Sequence, residues 1–220
     1  MRGRKKSDDT RAAILRCATE IFSQRPYHEV LTDEISGRLK MGKGTLYRYF
    51  PSKEELYFAT LVDGLQGMQE ALDAVLAPRL PLDRTIEALT RTIIGYFWQR
   101  RDFFVLLHRH ETKFDPSQRV EWEQRRETVL SRIADRIAAE LGRTRLDPRL
   151  AVEMLFGMIR SACLYRDDAA HPDDLARLVT RTFLGGVRAG VRPRAPRPAP
   201  AAKRVLGGKP AAKRVAGAKR

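Results

Sequence analysis

Residues 31–57 read LTDEISGRLKMGKGTLYRYFPSKEELY. The pattern predicts a short helix over Thr32 to Leu39, a tight turn at Lys40-Met41-Gly42, a second short helix over Lys43 to Tyr49, and then a new, longer helix. The last of these has clear start chemistry. Ser52 with Glu55 forms a capping box, in which the hydroxyl accepts a free first-turn N–H and the carboxylate reaches back. Pro51 keeps Phe50 out of the α region and so separates the two helices. Ile35, Leu39, Leu46 and Phe50 supply a buried side, which makes the unit a helix-turn-helix. Such a unit places its second helix in the major groove of DNA.

The polar face of that second helix fits the groove. Arg48 and Lys43 are the candidates for base-edge hydrogen bonds, and Thr45 for a thymine methyl. Tyr47, Tyr49 and Lys53 are expected on phosphates, contacts that position rather than specify. Gly44 removes a side chain where backbone approaches phosphate, and Thr32, at the start of the first short helix, joins the same candidate set. The bland alternative is a helical hairpin whose Tyr-Arg-Tyr face is merely solvated.

At GKGTLYRYFPSKEELY, preceded by DEI and a turn, the chain resembles the DNA-binding domain of the TetR family of bacterial transcriptional repressors. The resemblance runs from about Ser7 to Ala59, with Ile14, Ala18, Ile21 and Phe22 similar to the family's first helix. It implies an all-α protein of two parts: a three-helix helix-turn-helix head and a C-terminal helical domain for effector binding and dimerisation, about nine helices together. Two positions depart from the family pattern. Lys40 stands where glycine is usual, so it must accept the backbone angle of the turn at a modest strain cost. Gly42 replaces a frequent serine and is itself an acceptable N-cap.

The net charge of +15 is unevenly spread. Residues 1–6 carry four basic side chains and no acid, residues 192–220 carry ten and no acid, and residues 7–191 come out at a net +1. The folded body is therefore near neutral and two basic segments hold the charge. The segment from Arg192 is rich in Pro, Ala, Lys, Arg and Gly and repeats PAAKRV at 200–205 and 210–215. It has too few apolar groups to offset ordering entropy, so a disordered tail is expected. Its basic charge suits a sequence-blind grip on nucleic acid through counterion release; the alternative is a solubilising tail. The expected organisation is a flexible basic arm at 1–6, a DNA-binding domain at 7–52, an effector-binding and dimerisation domain at 53–191, and the tail at 192–220.

No run approaches the roughly 18 apolar residues of a membrane span and no secretory signal is seen, so a cytoplasmic protein without membrane contact is expected. Cys17 and Cys163 lie in apolar helical patterns and form no metal or disulfide framework. A helix from Lys53 to about Leu76 links head and body, and its Gly64 and Gly67 require a close helix crossing or a bend to justify them. Further helices are expected over Pro81 to Arg101, over Asp102 to Lys113 and from Asp115-Pro116 to a C′ glycine at Gly142. Two more follow, from Asp147-Pro148 to Arg166 and from Pro172 to Gly190.

The middle helices are rich in aromatics and methionines, and Phe97, Trp98, Phe104, His108, Trp122, Met154 and Met158 are the candidate lining of an effector pocket. Apolar walls with few polar groups mark ligand sites, although ordinary cores look similar. The resemblance places the dimer contact on the last two helices, with Leu155, Ile159, Leu175, Val179, Phe183 and Gly186 as its candidates. His108, His110 and Glu111 do not make a metal site, because i and i+2 lie on different helix faces. No catalytic motif is present, and neither catalysis nor a cofactor is expected. The function implied is a homodimeric, sequence-specific repressor that binds a double-stranded operator under the control of an unknown small effector. One rival is a nucleoid-type architectural protein driven by its basic tails; another is a helical small-molecule binder or enzyme with a relic head.

Overall fold

The computed structural model describes residues 2–77, 80–109, 114–141, 147–166 and 169–190. Among them are nine α-helices, a single 3-10 turn at Tyr27–Glu29, and no strand. The helices are α1 (Arg2–Gln24), α2 (Thr32–Arg38), α3 (Lys43–Tyr49), α4 (Lys53–Leu76), α5 (Leu82–Gln99), α6 (Arg101–Arg109), α7 (Pro116–Leu141), α8 (Pro148–Leu164) and α9 (Pro172–Gly190). The all-α, two-part architecture is as expected. Gly142, His110, Glu111 and the segment 192–220 lie outside the described residues.

One boundary differs from the sequence reading. Residues 2–6, expected as a flexible arm, form the first turns of α1. Lysine and arginine are good helix formers, and nothing but Gly3 opposes continuation of the helix toward Arg2.

The N-cap side chains accept as predicted, although only the hydroxyl half of the expected Ser52–Glu55 capping box is present among the described residues. Ser52 Oγ accepts from the Glu55 N–H at 3.1 Å, Asp147 Oδ1 from the Arg149 N–H at 2.8 Å, and Asp115 Oδ1 from Ser117 and Gln118 at 2.8 and 2.9 Å. Each satisfies amides that a helix N-terminus otherwise leaves unpaired.

In the head, α1 crosses α2 and α4, and α3 packs on α2. Ile14, Ala18, Ile21 and Phe22 of α1 close with Val30, Ile35, Leu46, Phe50 and Leu56 into a buried core. The rings of Phe22, Tyr27 and Tyr57 meet pairwise with centroids 5.1–5.9 Å apart, joining α1 to α4 through the 3-10 turn.

In the body, α5 is central, packed against α4, α7, α8 and α9. Its Ile86, Leu89, Ile93 and Ile94 are fully buried. The crossing of α4 by α5 and α6 accounts for both α4 glycines. A Cβ on Gly64 would lie 2.1 Å from the Phe103 ring, and one on Gly67 would lie 2.7 Å from the Tyr96 hydroxyl. That hydroxyl donates to the Gly64 carbonyl at 2.7 Å.

Candidate nucleic-acid interface and effector cavity

The turn between α2 and α3 sets the angle of the groove-facing helix. Lys40 takes φ = 52°, with Met41 N–H donating to Ser36 C=O at 2.9 Å and Lys40 N–H to Gly37 C=O at 3.0 Å. This pair of bonds around a left-handed residue is a Schellman motif with Lys40 at C′. Gly42 is the N-cap of α3, and no side chain caps that end.

On α3 only Leu46 is buried; Lys43, Gly44 and Arg48 are exposed, and Thr45, Tyr47 and Tyr49 are half-buried. The helix is therefore seated by one leucine and flanked by tyrosines, with its cations facing out. The Arg48 guanidinium rests 5.7 Å from the centre of the Tyr49 ring. Lys43 Nζ pairs with Asp33 at 2.8 Å, and that carboxylate raises its pKa.

The two tyrosines are engaged differently from expectation. The Tyr47 hydroxyl lies 2.9 Å from Thr32 Oγ1, and Thr32 is itself buried. The Tyr49 phenol is held below its ordinary pKa by hydrogen bonding with Ser7, then with Thr10 and Arg48. Both rings brace α3 against its neighbours, Tyr47 toward α2 through Thr32 and Tyr49 toward Ser7 and Thr10 of α1. Thr32 is likewise a brace. Lys53 is half-buried, with its ammonium 4.4 Å from the centre of the Tyr27 ring.

Sequence reasoning missed the contribution of α1. Lys6, Ser7 and Thr10 line a shallow depression with Thr45, Arg48 and Tyr49 of α3. Two cations and four hydroxyls meet there, a composition suited to a phosphate backbone. Extending the first helix upstream would have revealed it, since Lys6 and Thr10 then fall one turn apart on a single face.

The body holds a cavity of about 360 Å³. Leu65 and Met68 of α4, Phe97 of α5, Leu107 and His108 of α6, and Trp122, Val129 and Leu130 of α7 form its walls, with Phe156 and Gly157 of α8. Its polar lining is His108, Arg126, Glu153 and Arg160. His108 Nδ1–H donates to the Phe104 carbonyl at 2.8 Å, which fixes that nitrogen as the protonated one. Of the residues expected here, Phe97, His108 and Trp122 line the cavity. Phe104 sits behind it, edge-on to Phe97 and tilted against His108, and Trp98 lies under Arg166, whose guanidinium is 3.6 Å from its ring centre. Met158 packs into the core, and Met154 is exposed.

The expected dimer residues need a similar correction. Leu155, Ile159, Val179 and Phe183 are buried within the single chain and Leu175 is half-buried, because α8 and α9 turn those stripes onto α5 and onto each other. Gly186 is exposed. The surface carries a different stripe: Leu150, Met154, Gly157, Ser161 and Leu164 at alternating four- and three-residue steps on α8, followed by Tyr165 at 82% exposure, and Leu178 and Gly185 on α9.

Comparison with known proteins agrees with this geometry. Residues 14–60 match the domain described as "Bacterial regulatory proteins, tetR family". The chain is 40% identical over 85 residues to the HTH-type transcriptional activator FasR of Mycolicibacterium smegmatis, covering 37% of this chain and 39% of that protein. It is 31% identical over 96 residues to the HTH-type transcriptional regulator EthR of Mycobacterium tuberculosis, covering 44% of each. These matches span less than half the length of either relative. The fold extends further: the structure of FadR from Bacillus subtilis in complex with stearoyl-CoA superposes with a TM-score of 0.70 at 16% identity, over 80% of this chain and 98% of that one. With a helix-turn-helix whose cations face outward and a fold shared over 80% of the chain, residues 14–60 form a domain of the tetR family of bacterial regulatory proteins.

Proposed function

We propose that the protein is a sequence-specific DNA-binding transcriptional regulator that acts as a homodimer and changes its operator affinity when a small molecule enters the body cavity. The observation that carries this reading is the outward face of α3. Lys43 and Arg48 stand exposed on a helix fixed by Leu46, Tyr47 and Tyr49, beside the hydroxyl- and cation-lined depression shared with α1. A rigid helix with a guanidinium in its last turn can read guanine edges, while the depression holds the adjacent backbone.

The exposed stripe on α8 and α9 supports pairing of two bodies. It is apolar at Leu150, Met154, Leu164 and Leu178, and small at Gly157 and Gly185, where backbones can approach closely. A two-fold dimer then offers two α3 helices to successive major grooves, roughly 34 Å apart, on a near-palindromic site. FasR is named an activator, so family membership alone does not imply repression.

The cavity shares α4 and α6 with the path to the head. Leu65 and Met68 lie on α4 beside the Gly64–Gly67 crossing, and Leu107 and His108 lie on α6. From α6, Asp102 Oδ1 accepts from Ser23 Oγ of α1 at 2.7 Å, and Arg109 donates to the Phe22 and Arg25 carbonyls at 3.4 and 3.1 Å. A ligand that repacks the cavity therefore bears on both connections to α1, and the two sites become coupled. FadR's bound stearoyl-CoA supports a small-molecule site in this fold.

The test is selection of bound sequences from random DNA by the full chain, followed by titration of the selected site. Arg48→Ala is expected to weaken the selected site by about 1–3 kcal/mol and relax its sequence preference. Binding that disappears under excess random DNA, or is unmoved by Arg48→Ala, overturns the reading in favour of a tail-driven architectural protein.

A further inference from the structure

The rim of the cavity has a charge imbalance. Glu153 lies with both carboxylate oxygens 2.7 Å from Arg126 Nη2, and its Oε1 is 3.4 Å from Arg149 Nη2, so two guanidiniums already meet its charge. Arg160, one turn beyond Phe156 on α8, has neither a hydrogen bond nor an ion pair among the described residues. The lining thus holds two arginines and one glutamate around walls that are almost all carbon.

We infer that the cavity takes an amphipathic organic anion, with its apolar body between α5, α7 and α8 and its carboxylate or phosphate held by Arg160. The apolar body gains from leaving water. An anionic head gives the guanidinium charge-assisted, fork-shaped hydrogen bonds that no described residue provides. A neutral head leaves the solvent-exposed Arg160 guanidinium to water and gains no charge-assisted bond from it. A cationic head meets two arginines and a glutamate that is already engaged. At about 360 Å³ the cavity lies at the small end of ligand sites, so the body is a medium-length chain or small ring system and any bulky head stays outside.

This rests on the effector cavity proposed above, and its test uses no DNA, so either reading can fail alone. The full chain is titrated calorimetrically with decanoate, decanoyl-CoA, decanol and decylamine, each below its aggregation concentration. The expected result is binding of at least one of the two anions about tenfold or more tighter than decanol, with decylamine weakest. Decanoate alone points to a carboxylate head, decanoyl-CoA alone to a phosphate-bearing one. Arg160→Ala should lose about tenfold for that anion and leave decanol unchanged, while Arg160→Lys keeps most of the affinity. Decanol or decylamine binding as tightly as the better anion, no binding by any of the four, or an unaltered anion affinity in Arg160→Ala overturns the inference. A separate titration of the selected operator with the bound anion present tests the regulator reading, and an unchanged operator affinity there refutes that reading alone.

Discussion

Lys40 shows how a single backbone angle can be inferred from the residues on either side of it. A short helix had to end there and a second begin within three residues, and the family's usual glycine was absent. At φ = 52° a residue with a Cβ bears about 1–2 kcal/mol of strain, which glycine avoids. Glycine also loosens the unfolded chain, by about 0.4–1 kcal/mol. Lys40→Gly should therefore raise stability by about 0.5–1 kcal/mol in urea unfolding, and Lys40→Val should lower it by more than that. Cys163 gives a second prediction at this scale. Burial pushes its thiol up from 9.0 to about 11, with Arg166 opposing. The folded state thus favours the neutral thiol, so its contribution is complete below about pH 9 and declines as pH rises from 9 toward 11. The urea midpoint should fall across that window, and Cys163→Ala should flatten part of the fall. Burial, then Glu54, pushes the Tyr27 phenol the same way, which adds loss at still higher pH. The roles of Tyr47 and Tyr49 were not legible, because their partners Thr32, Ser7 and Thr10 are brought to them only by the packing of α1 and α2.

Among the elements, the starts of α4, α7 and α8 were legible because Ser52, Asp115 and Asp147 carry local chemistry that needs no tertiary information. The break between α5 and α6 was placed near Arg101-Asp102, but no local stop signal marks it. Arg100 adopts φ −117°, ψ 58° with neither proline nor glycine to signal it, and the two helices part because Phe97 and Phe103 both turn onto the core. The glycines of α4 divide sharply. Gly64→Ala drives a methyl into the ring of a buried Phe103 and should cost about 1–3 kcal/mol. Gly67→Ala meets only the end of the Tyr96 side chain and recovers about 1 kcal/mol of helix propensity, so its net effect should be far smaller. Urea midpoints of the two variants check the order; equal effects would mean that the α4 crossing is not tight at Gly64.

For the whole molecule, the sequence marked Leu155 and Ile159 as an apolar stripe but not whether it faces its own chain or a partner. That choice depends on where α5 and α9 lie, and it put Leu155 and Ile159 inside while leaving Met154 and Leu164 outside. The body cavity was legible only at Phe97, His108 and Trp122, since the sequence alone does not align five helices around one space. If the outer stripe joins two chains, Met154→Glu with Leu178→Glu should shift sedimentation to the monomer, leave the helical signal intact and weaken operator binding by about tenfold or more. An unshifted dimer would place the contact elsewhere.

Three sets of contacts join the head to the body: continuous backbone at Ser52–Lys53, the packing of α1 on α4 around Phe22 and Tyr57, and the Ser23–Asp102 and Arg109–Phe22 hydrogen bonds at the end of α1. Held by two body helices at once, α1 is a clamp bridging α4 and α6, so any sliding of one against the other is passed to the groove-facing helix as a twist rather than lost in a loose joint. Asp102→Ala would slacken the α6 side of the clamp; if the proposed regulation holds, DNA binding stays in place while its response to ligand is blunted.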